Sequence, residues 1–105
     1  MIDSKSFRSG KEGKSLKKLS KGDRSMIRAE HAEKLEDLLY IMATTGDLEL
    51  IKQAGSDYHP WRGRKIDGHK IHSVSLNGPW RLLFCFDKDT GYFHHLAYTN
   101  PHPLP

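Results

Sequence analysis

The second half of the chain is divided by turn signals into short segments with strand character, and this pattern restricts the fold most strongly. Asp67-Gly68 and Asn77-Gly78 are dipeptides that favour two-residue hairpin turns, and residues 87–91 form a further polar turn. Residues 70–76, 80–86 and 92–98 lie around these turns, and an extended segment begins at Tyr58. We interpret residues 62–65 as a basic turn. The pattern predicts an antiparallel sheet of three or four strands.

The first half of the chain has helical periodicity instead. Apolar residues and one histidine recur at spacings of three and four, which is typical of an amphipathic helix: Ile27, His31, Leu35, Leu38, Leu39 and Met42. Ser25 is the expected N-cap of this helix, Gly46 its stop, and Asp47 the cap of a short turn after it. Residues 9–24 predict a loop with one or two weak helical turns around residues 14–20, and residues 2–8 a short first strand.

Together these elements predict an α+β fold in which N-terminal helices pack on a small antiparallel β-sheet. Alternation along residues 80–86 places Trp80, Leu82, Phe84 and Phe86 toward the helices. Arg81, Leu83 and Cys85 then lie on the other face. We expect one domain spanning residues 1–105, with a basic N-terminal lobe at 1–24 and a proline-rich tail at 100–105 that does not continue the sheet.

Charge and composition indicate a cytoplasmic protein that meets a polyanion. The chain has 105 residues and a net charge of +4, and residues 1–28 contain nine Lys or Arg against three Asp or Glu. Such a basic segment attracts RNA or DNA, although a merely solvated terminal segment would have the same composition. No apolar run reaches membrane-span length, and the first residues lack the apolar core of a secretory signal. The single cysteine, Cys85, suits a reducing cytosol and is expected to be buried and inert.

Arg81 is the most informative residue for function because it is a cation within an otherwise apolar strand. A structural arginine paired with a carboxylate is one interpretation. The other is a phosphate-binding group held on a rigid strand, with His59 and Arg62 on a neighbouring segment and Tyr98 at the end of the last strand. These groups suit metal-independent RNA cleavage, which needs proton transfer at two oxygens and positive charge beside the phosphate. Further RNA-binding contacts are expected from Tyr58, Trp61, Arg64 and Lys65.

A metal site and a bound cofactor are not expected. His94 and His95 are adjacent, so on a regular strand they would point to opposite faces and could not easily share an ion. The chain has no cysteine pair, no His-Glu-x-x-His pattern and no glycine-rich phosphate loop.

Two segments resemble the HigB toxins, also called plasmid-maintenance killer proteins, of the RelE-like toxin superfamily. The resemblance covers most of the chain, and its specific part is about 30 residues long. The segments are Tyr58-His59-Pro60-Trp61-Arg62-Gly63 and Ser73-Val74-Ser75-Leu76-Asn77-Gly78-Pro79-Trp80-Arg81-Leu82-Leu83-Phe84-Cys85-Phe86.

The resemblance implies the RelE-like toxin fold and a ribosome-dependent endoribonuclease (an mRNA interferase) that cuts messenger RNA in the decoding site. It also implies a cognate helix-turn-helix antitoxin, contact with ribosomal RNA and no cofactor. By position, His59 matches a proton-transfer histidine, Arg62 stands at a position usually occupied by lysine, and Arg81 matches the arginine that stabilises the scissile phosphate. Tyr98 matches the tyrosine of the final strand.

The chain departs from the family pattern near Tyr98. Ala97 stands where the family often has aspartate, and Thr99 where it often has histidine. His102, between two prolines, is an imidazole that could replace the missing one. These departures leave a second hypothesis open, a non-catalytic module that binds RNA, the ribosome or an antitoxin. A third is a small DNA-binding protein that uses residues 1–28, although the main helix is mixed in charge and does not look like a recognition helix.

Overall fold

The computed structural model describes residues 1–54 and 57–100, apart from the side chains of residues 62 and 63. Within these residues lie three helices and four strands, and the strands form one antiparallel sheet in the order β1-β2-β3-β4. The α+β class is therefore confirmed. The elements are α1 (Lys11–Leu19), α2 (Ala29–Thr44), α3 (Leu48–Ala54), β1 (Tyr58–Ile66), β2 (His69–Ser75), β3 (Arg81–Asp87) and β4 (Tyr92–Thr99).

The N-terminal segment contributes one bridge to the sheet instead of the expected strand over residues 2–8. Phe7 pairs in parallel with Leu96 of β4, and the Arg8 amide donates to the Leu96 carbonyl at 2.9 Å. Just before this point, the Ser6 amide donates to the Asp3 carbonyl at 3.1 Å. The Ser6 carbonyl still accepts from the Leu96 amide at 3.0 Å, but residues 3–6 form a turn instead of a longer ladder.

The helices differ from expectation at their starts. α1 is a regular nine-residue helix that buries Leu16 and Leu19, whereas only weak helical turns were expected there. Ser25 does not cap α2, which begins at Ala29 with Arg28 in the N-cap position. The Ser25 amide instead donates to Asp23 Oδ1 at 2.9 Å, so Ser25 belongs to a turn that precedes the helix. The expected cap at Asp47 is confirmed, because its Oδ1 accepts from the Glu49 amide at 2.9 Å.

The hairpin connections follow the turn signals. Asp67 and Gly68 both have positive φ, 49° and 80°, as a tight hairpin of the mirror-image type requires, and Gly78 has φ 63°. The basic turn expected at residues 62–65 is wrong, because this segment belongs to β1. The pairing of β1 with β2 shifts register between Trp61 and Lys65, so the turn-like composition coincides with an irregularity inside the strand.

The sheet has two buried faces of unequal size. The helices pack on one face, where Leu82, Phe84, Phe93 and Leu96 join Leu16, Leu35, Leu38, Met42 and Ile51 in the main core. The other face, called the open face here, carries a small apolar cluster of Ile71, Leu83, Cys85 and Ala97, flanked by Trp61 and Ile66. The expected alternation along β3 is confirmed, and Cys85 is fully buried as expected. None of the described helices is long and apolar enough to cross a membrane.

Candidate nucleic-acid interface

Arg81 begins β3 and projects from the open face, where residues of two neighbouring strands hold it. Its Nη1 atom donates to His59 Nε2 of β1 at 3.1 Å and also to Ser75 Oγ at the end of β2. Its guanidinium lies over the Trp61 ring, 5.6 Å from the ring centroid, at the distance of a cation–π contact. The cation is thus positioned by an imidazole, a hydroxyl and an aromatic ring.

The surroundings of Arg81 decide between its two interpretations. No carboxylate among the described residues forms an ion pair with it. A guanidinium has only donors, so His59 must present the lone pair of Nε2 to it, which places the proton of a neutral ring on Nδ1. The arrangement joins a cation without an acidic partner to an imidazole whose acceptor nitrogen it occupies, and a phosphate that takes over the guanidinium would free that nitrogen.

A groove of about 450 Å³ lies beside this cluster on the open face. Three cations line it, Arg8 from the N-terminal segment and Arg64 and Lys65 from β1, against one carboxylate, Glu12. Trp61 is a wall of the groove and also the ring under Arg81, so the two features are continuous. The remaining lining residues are Ile66, Ile71, Leu83 and Thr99. A basic groove with an exposed aromatic edge suits a single-stranded polyanion.

The structure does not bring Tyr98 to Arg81. Arg81 pairs with Thr99, and Tyr98 pairs with Leu82, so the phenol lies on the helix side of the sheet. There its oxygen accepts from the Arg28 amide at 3.3 Å and lies 2.7 Å from His31 Nδ1. Burial raises the pKa of the Tyr98 phenol and lowers the pKa of His31. The residue expected to complete the catalytic group is therefore a core residue in the described structure.

Tyr58 also lies on the helix side, because it pairs with Val74 of the main core. Its hydroxyl lies 2.6 Å from His72 Nδ1, and Lys52 Nζ lies 5.3 Å from its ring centroid. Burial lowers the pKa of His72 to about 4, so this ring is neutral and is hydrogen-bonded to the phenol. Stacking of Tyr58 on RNA beside Arg81 is not compatible with this position.

The other sequence-based site residues fall as follows. Ala97, at the position of the family's aspartate, is buried against Leu83 in the small cluster of the open face. Thr99 is half-buried on the same face and directly opposite Arg81. The side chain of Arg62 and all of His102 lie outside the described residues.

Three contributors to the site were missed in the sequence. Arg8 and Glu12 reach the groove from the N-terminal region, and no local pattern connects them to β1. Ser75 could have been found, because it lies two residues after Ser73 on the same strand face. It also lies just before the hairpin that leads to Arg81.

The expectation that His94 and His95 point to opposite faces is wrong. Two residues of β4, His95 and Leu96, lie opposite Phe84 alone, because the register shifts between Leu83 and Cys85. This bulge and the positive φ of His95, 54°, turn its side chain toward that of His94. The two Nδ1 atoms are 2.7 Å apart. Both rings therefore gather beside Cys85.

Comparison with known proteins adds no relative to this geometry: no family model matches the chain, and no curated protein matches it. The functional proposal therefore depends on the residues of the open face and on the resemblance of the two segments described above.

Proposed function

We propose that this protein is a HigB-like toxin of a type II toxin–antitoxin system, an endoribonuclease that cleaves messenger RNA on the ribosome without a metal ion. The observation that supports this proposal is the contact of Arg81 with His59 on the open face, beside a groove lined by cations. Because Arg81 has no acidic partner among the described residues, a phosphate can occupy its donors without displacing a salt bridge.

Each group has a definable part in such a reaction. His59 Nε2 accepts the proton of the ribose 2′-hydroxyl as that oxygen attacks the neighbouring phosphorus. Arg81 exchanges its contacts with Ser75 and His59 for the non-bridging phosphate oxygens and stabilises the charge that develops on them. The bond from phosphorus to the 5′-oxygen breaks, and that oxygen takes a proton from the Lys65 ammonium at the groove. Lys65 is exposed at the groove and also steers the strand, and the resemblance assigns a catalytic part to Arg62.

The groove explains how RNA would be held. Trp61 offers a ring face for an unpaired base, and Arg8, Arg64 and Lys65 face the backbone phosphates. The resemblance to the HigB toxins implies three partners in the cytoplasm: messenger RNA in the ribosomal decoding site, ribosomal RNA and a helix-turn-helix antitoxin. An antitoxin that neutralises this toxin would cover the open face.

The test is a cleavage assay with purified protein, ribosomes programmed with a defined message, and mapping of the new 5′ ends. The wild-type protein is expected to cut within the decoding site in the presence of chelator. Arg81→Ala is expected to lower the cleavage rate at least about a hundredfold, in the range of losing a main charge-stabilising group. His59→Gln is expected to lower it about a hundredfold, in the range of a general base.

A matched control is Arg24→Ala, which removes an arginine from the helix side of the molecule. Arg24 is exposed and forms a two-point ion pair with Glu36, far from the open face in the topology. This variant should cut at the wild-type rate. Equal rates for Arg81→Ala and wild-type protein, with both folded by circular dichroism, would contradict the proposal.

The position of Tyr98 favours a second candidate, a non-catalytic module that binds the same RNA. With the phenol buried against His31, the proton-transfer groups described close to Arg81 on the open face are His59 and the lysine of the groove, because His94 and His95 lie at the other end of β3. In this case the protein would bind programmed ribosomes or single-stranded RNA, with Arg81→Ala weakening the binding, and the message would stay intact.

A further inference from the structure

The second feature of the open face lies at the other end of β3 from Arg81, where sulfur and imidazole donors meet. Cys85 of β3 is directly opposite His94 of β4, and the bulge adds His95 to the same side. One ligand atom from each of these residues lies within 4.8 Å of the others. Nothing in the RNA-binding proposal uses these three side chains.

The bulge at His95 brings Leu96 and Tyr98 to the core side of β4, and it also holds His95 itself in an unusual backbone conformation. His95 has φ 54°, and among the described residues only Asp67 shares a positive φ without being glycine. Asp67 needs that conformation for its hairpin turn, but a histidine in a strand rarely adopts it. Non-glycine residues held in this region cluster at binding and catalytic sites, which makes the bulge a pointer to a ligand.

Asp67 is also the residue that orients the His95 ring. Its Oδ2 lies 3.2 Å from His95 Nε2, so the Nε2 proton points to the carboxylate and the lone pair of Nδ1 points into the cluster. Histidines that bind metals very commonly have a carboxylate on the far nitrogen, which sets the tautomer and the direction of the ring. The two positive-φ residues thus contact each other and prepare one nitrogen for a ligand.

The donor separations, from 2.7 Å between the two Nδ1 atoms to within 4.8 Å across the cluster, bracket those of a tetrahedral ion. With Zn–S of about 2.3 Å and Zn–N of about 2.1 Å, neighbouring donors in a tetrahedron lie about 3.4–3.6 Å apart. The two Nδ1 atoms are closer than this, at 2.7 Å, because they share a proton. An ion would take the place of that proton and move the rings slightly apart. His69, edge-on to His94 with ring centroids 4.6 Å apart, is close enough to approach the fourth position.

We propose that Cys85, His94 and His95 form a zinc site on the open face, with Asp67 as the carboxylate that orients His95. A thiolate with two imidazoles is a donor set that selects zinc over calcium or magnesium, which prefer oxygen ligands. The ion would connect the β3–β4 pair, through Asp67 and His95, to the β1–β2 turn. Its expected role is to stabilise the edge of the open face, independently of whether that face cleaves RNA.

The test is zinc binding by the full chain, kept reduced and freed of metal with a chelator. Competition with a chromophoric chelator should give one zinc per chain, and zinc should raise the unfolding temperature. Cobalt in place of zinc should give the visible bands of a tetrahedral ion and a near-ultraviolet band from thiolate to cobalt. Cys85→Ser should remove the thiolate band, and His95→Gln should lower zinc affinity at least about tenfold.

Asp67→Asn tests the same site with a variant that should fold, because the Asp67 side chain is 79% exposed and lies in a turn. It should lower zinc affinity about tenfold to a hundredfold, in the range of carboxylates that orient a ligand. His59→Gln, on the same face but outside the cluster, should bind zinc as the wild-type protein does. The proposal is overturned if the wild-type protein binds no zinc, or if its affinity is the same in Cys85→Ser, His95→Gln and Asp67→Asn.

Discussion

At the residue scale, one inserted residue separates the correct position of Arg81 from the incorrect position of Tyr98. Arg81 was placed correctly because alternation along a regular strand is enough to fix its face. Counted the same way from Phe93, which lies in the main core, Tyr98 would have reached the open face with Arg81. The bulge at His95 reverses the alternation, so Tyr98 lies in the core instead. The sequence of residues 92–98 contains no signal that predicts a bulge.

Tyr98→Phe is therefore expected to be a stability variant. It removes a buried hydroxyl that contacts His31 Nδ1 and accepts from the Arg28 amide, and both partners lose their hydrogen bond. The free energy of unfolding in urea should fall by about 1–2 kcal/mol. Tyr40→Phe is the matched control, since Tyr40 is 71% exposed, and its effect should stay within about 0.5 kcal/mol. Equal effects of the two substitutions would contradict the described position of Tyr98.

At the element scale, α1 shows how tertiary contacts override weak propensity. Its segment contains Gly13, Ser15 and few apolar residues, so the sequence predicts only marginal helix. Burial of Leu16 and Leu19 against the sheet stabilises the helix, and this contact cannot be read from local spacing. By contrast, α2 and the three hairpins were predictable, because their apolar period and turn residues are local signals.

Gly13→Ala should separate local propensity from packing in α1. Alanine in a helix is normally more favourable than glycine by about 0.5–1 kcal/mol. A Cβ at Gly13, however, would lie 1.7 Å from the Arg8 carbonyl oxygen, which is backbone and cannot rotate away. The variant should therefore lose about 2 kcal/mol of stability, in the range of overpacked sites. Lys14→Ala, at an exposed position of the same helix, should change stability by less than about 0.5 kcal/mol. A gain in stability in Gly13→Ala would show that the helix does not approach Arg8 so closely.

At the scale of the whole molecule, charge is divided between the two sides of the sheet. The open face carries Arg81 and the cations of the groove, whereas several charges on the helix side are paired with each other, such as Arg24 with Glu36. The sequence indicated that Arg64, Lys65 and Arg81 face RNA, but it did not indicate the ion pairs of the helix side or the part played by Arg8, because the basic excess is spread over residues 1–28. Of the basic residues before α1, Arg8 lines the groove and Lys5 does not. The charge of the N-terminal lobe is therefore only partly directed to the groove.

This division makes the salt dependence of RNA binding a test of which cations contact phosphate. Affinity for single-stranded RNA should fall linearly with salt on logarithmic axes. Lys65→Ala should reduce that slope by about 0.7, the value for one lost phosphate contact on a single strand. Arg24→Ala should leave the slope unchanged, because that side chain lies on the helix side. Fluorescence anisotropy across a salt series measures the slopes of both variants. Equal slopes in Lys65→Ala and wild-type protein would show that Lys65 does not contact phosphate.

The buried histidines give the whole molecule a stability that depends on pH. Burial lowers the pKa of His72 to about 4 and also lowers the pKa of His31. In the unfolded chain these rings titrate near pH 6.5. Below that pH the unfolded state binds more protons than the native state, so the free energy of unfolding decreases as pH falls. The contribution of His72 is fully present above about pH 6.5 and is lost as pH falls through that value toward about 4.

His72→Phe isolates this contribution, because phenylalanine can stack on Phe84 as the imidazole does but cannot titrate. Between about pH 7 and pH 5, the wild-type protein should lose about 1.5 kcal/mol more stability than the variant. Ile71→Val is the control, since it lowers stability by about 1 kcal/mol at every pH without removing a titrating group. Urea unfolding at several pH values measures all three slopes. If His72→Phe and Ile71→Val have the same pH dependence as the wild-type protein, then His72 is not held neutral by burial against Tyr58.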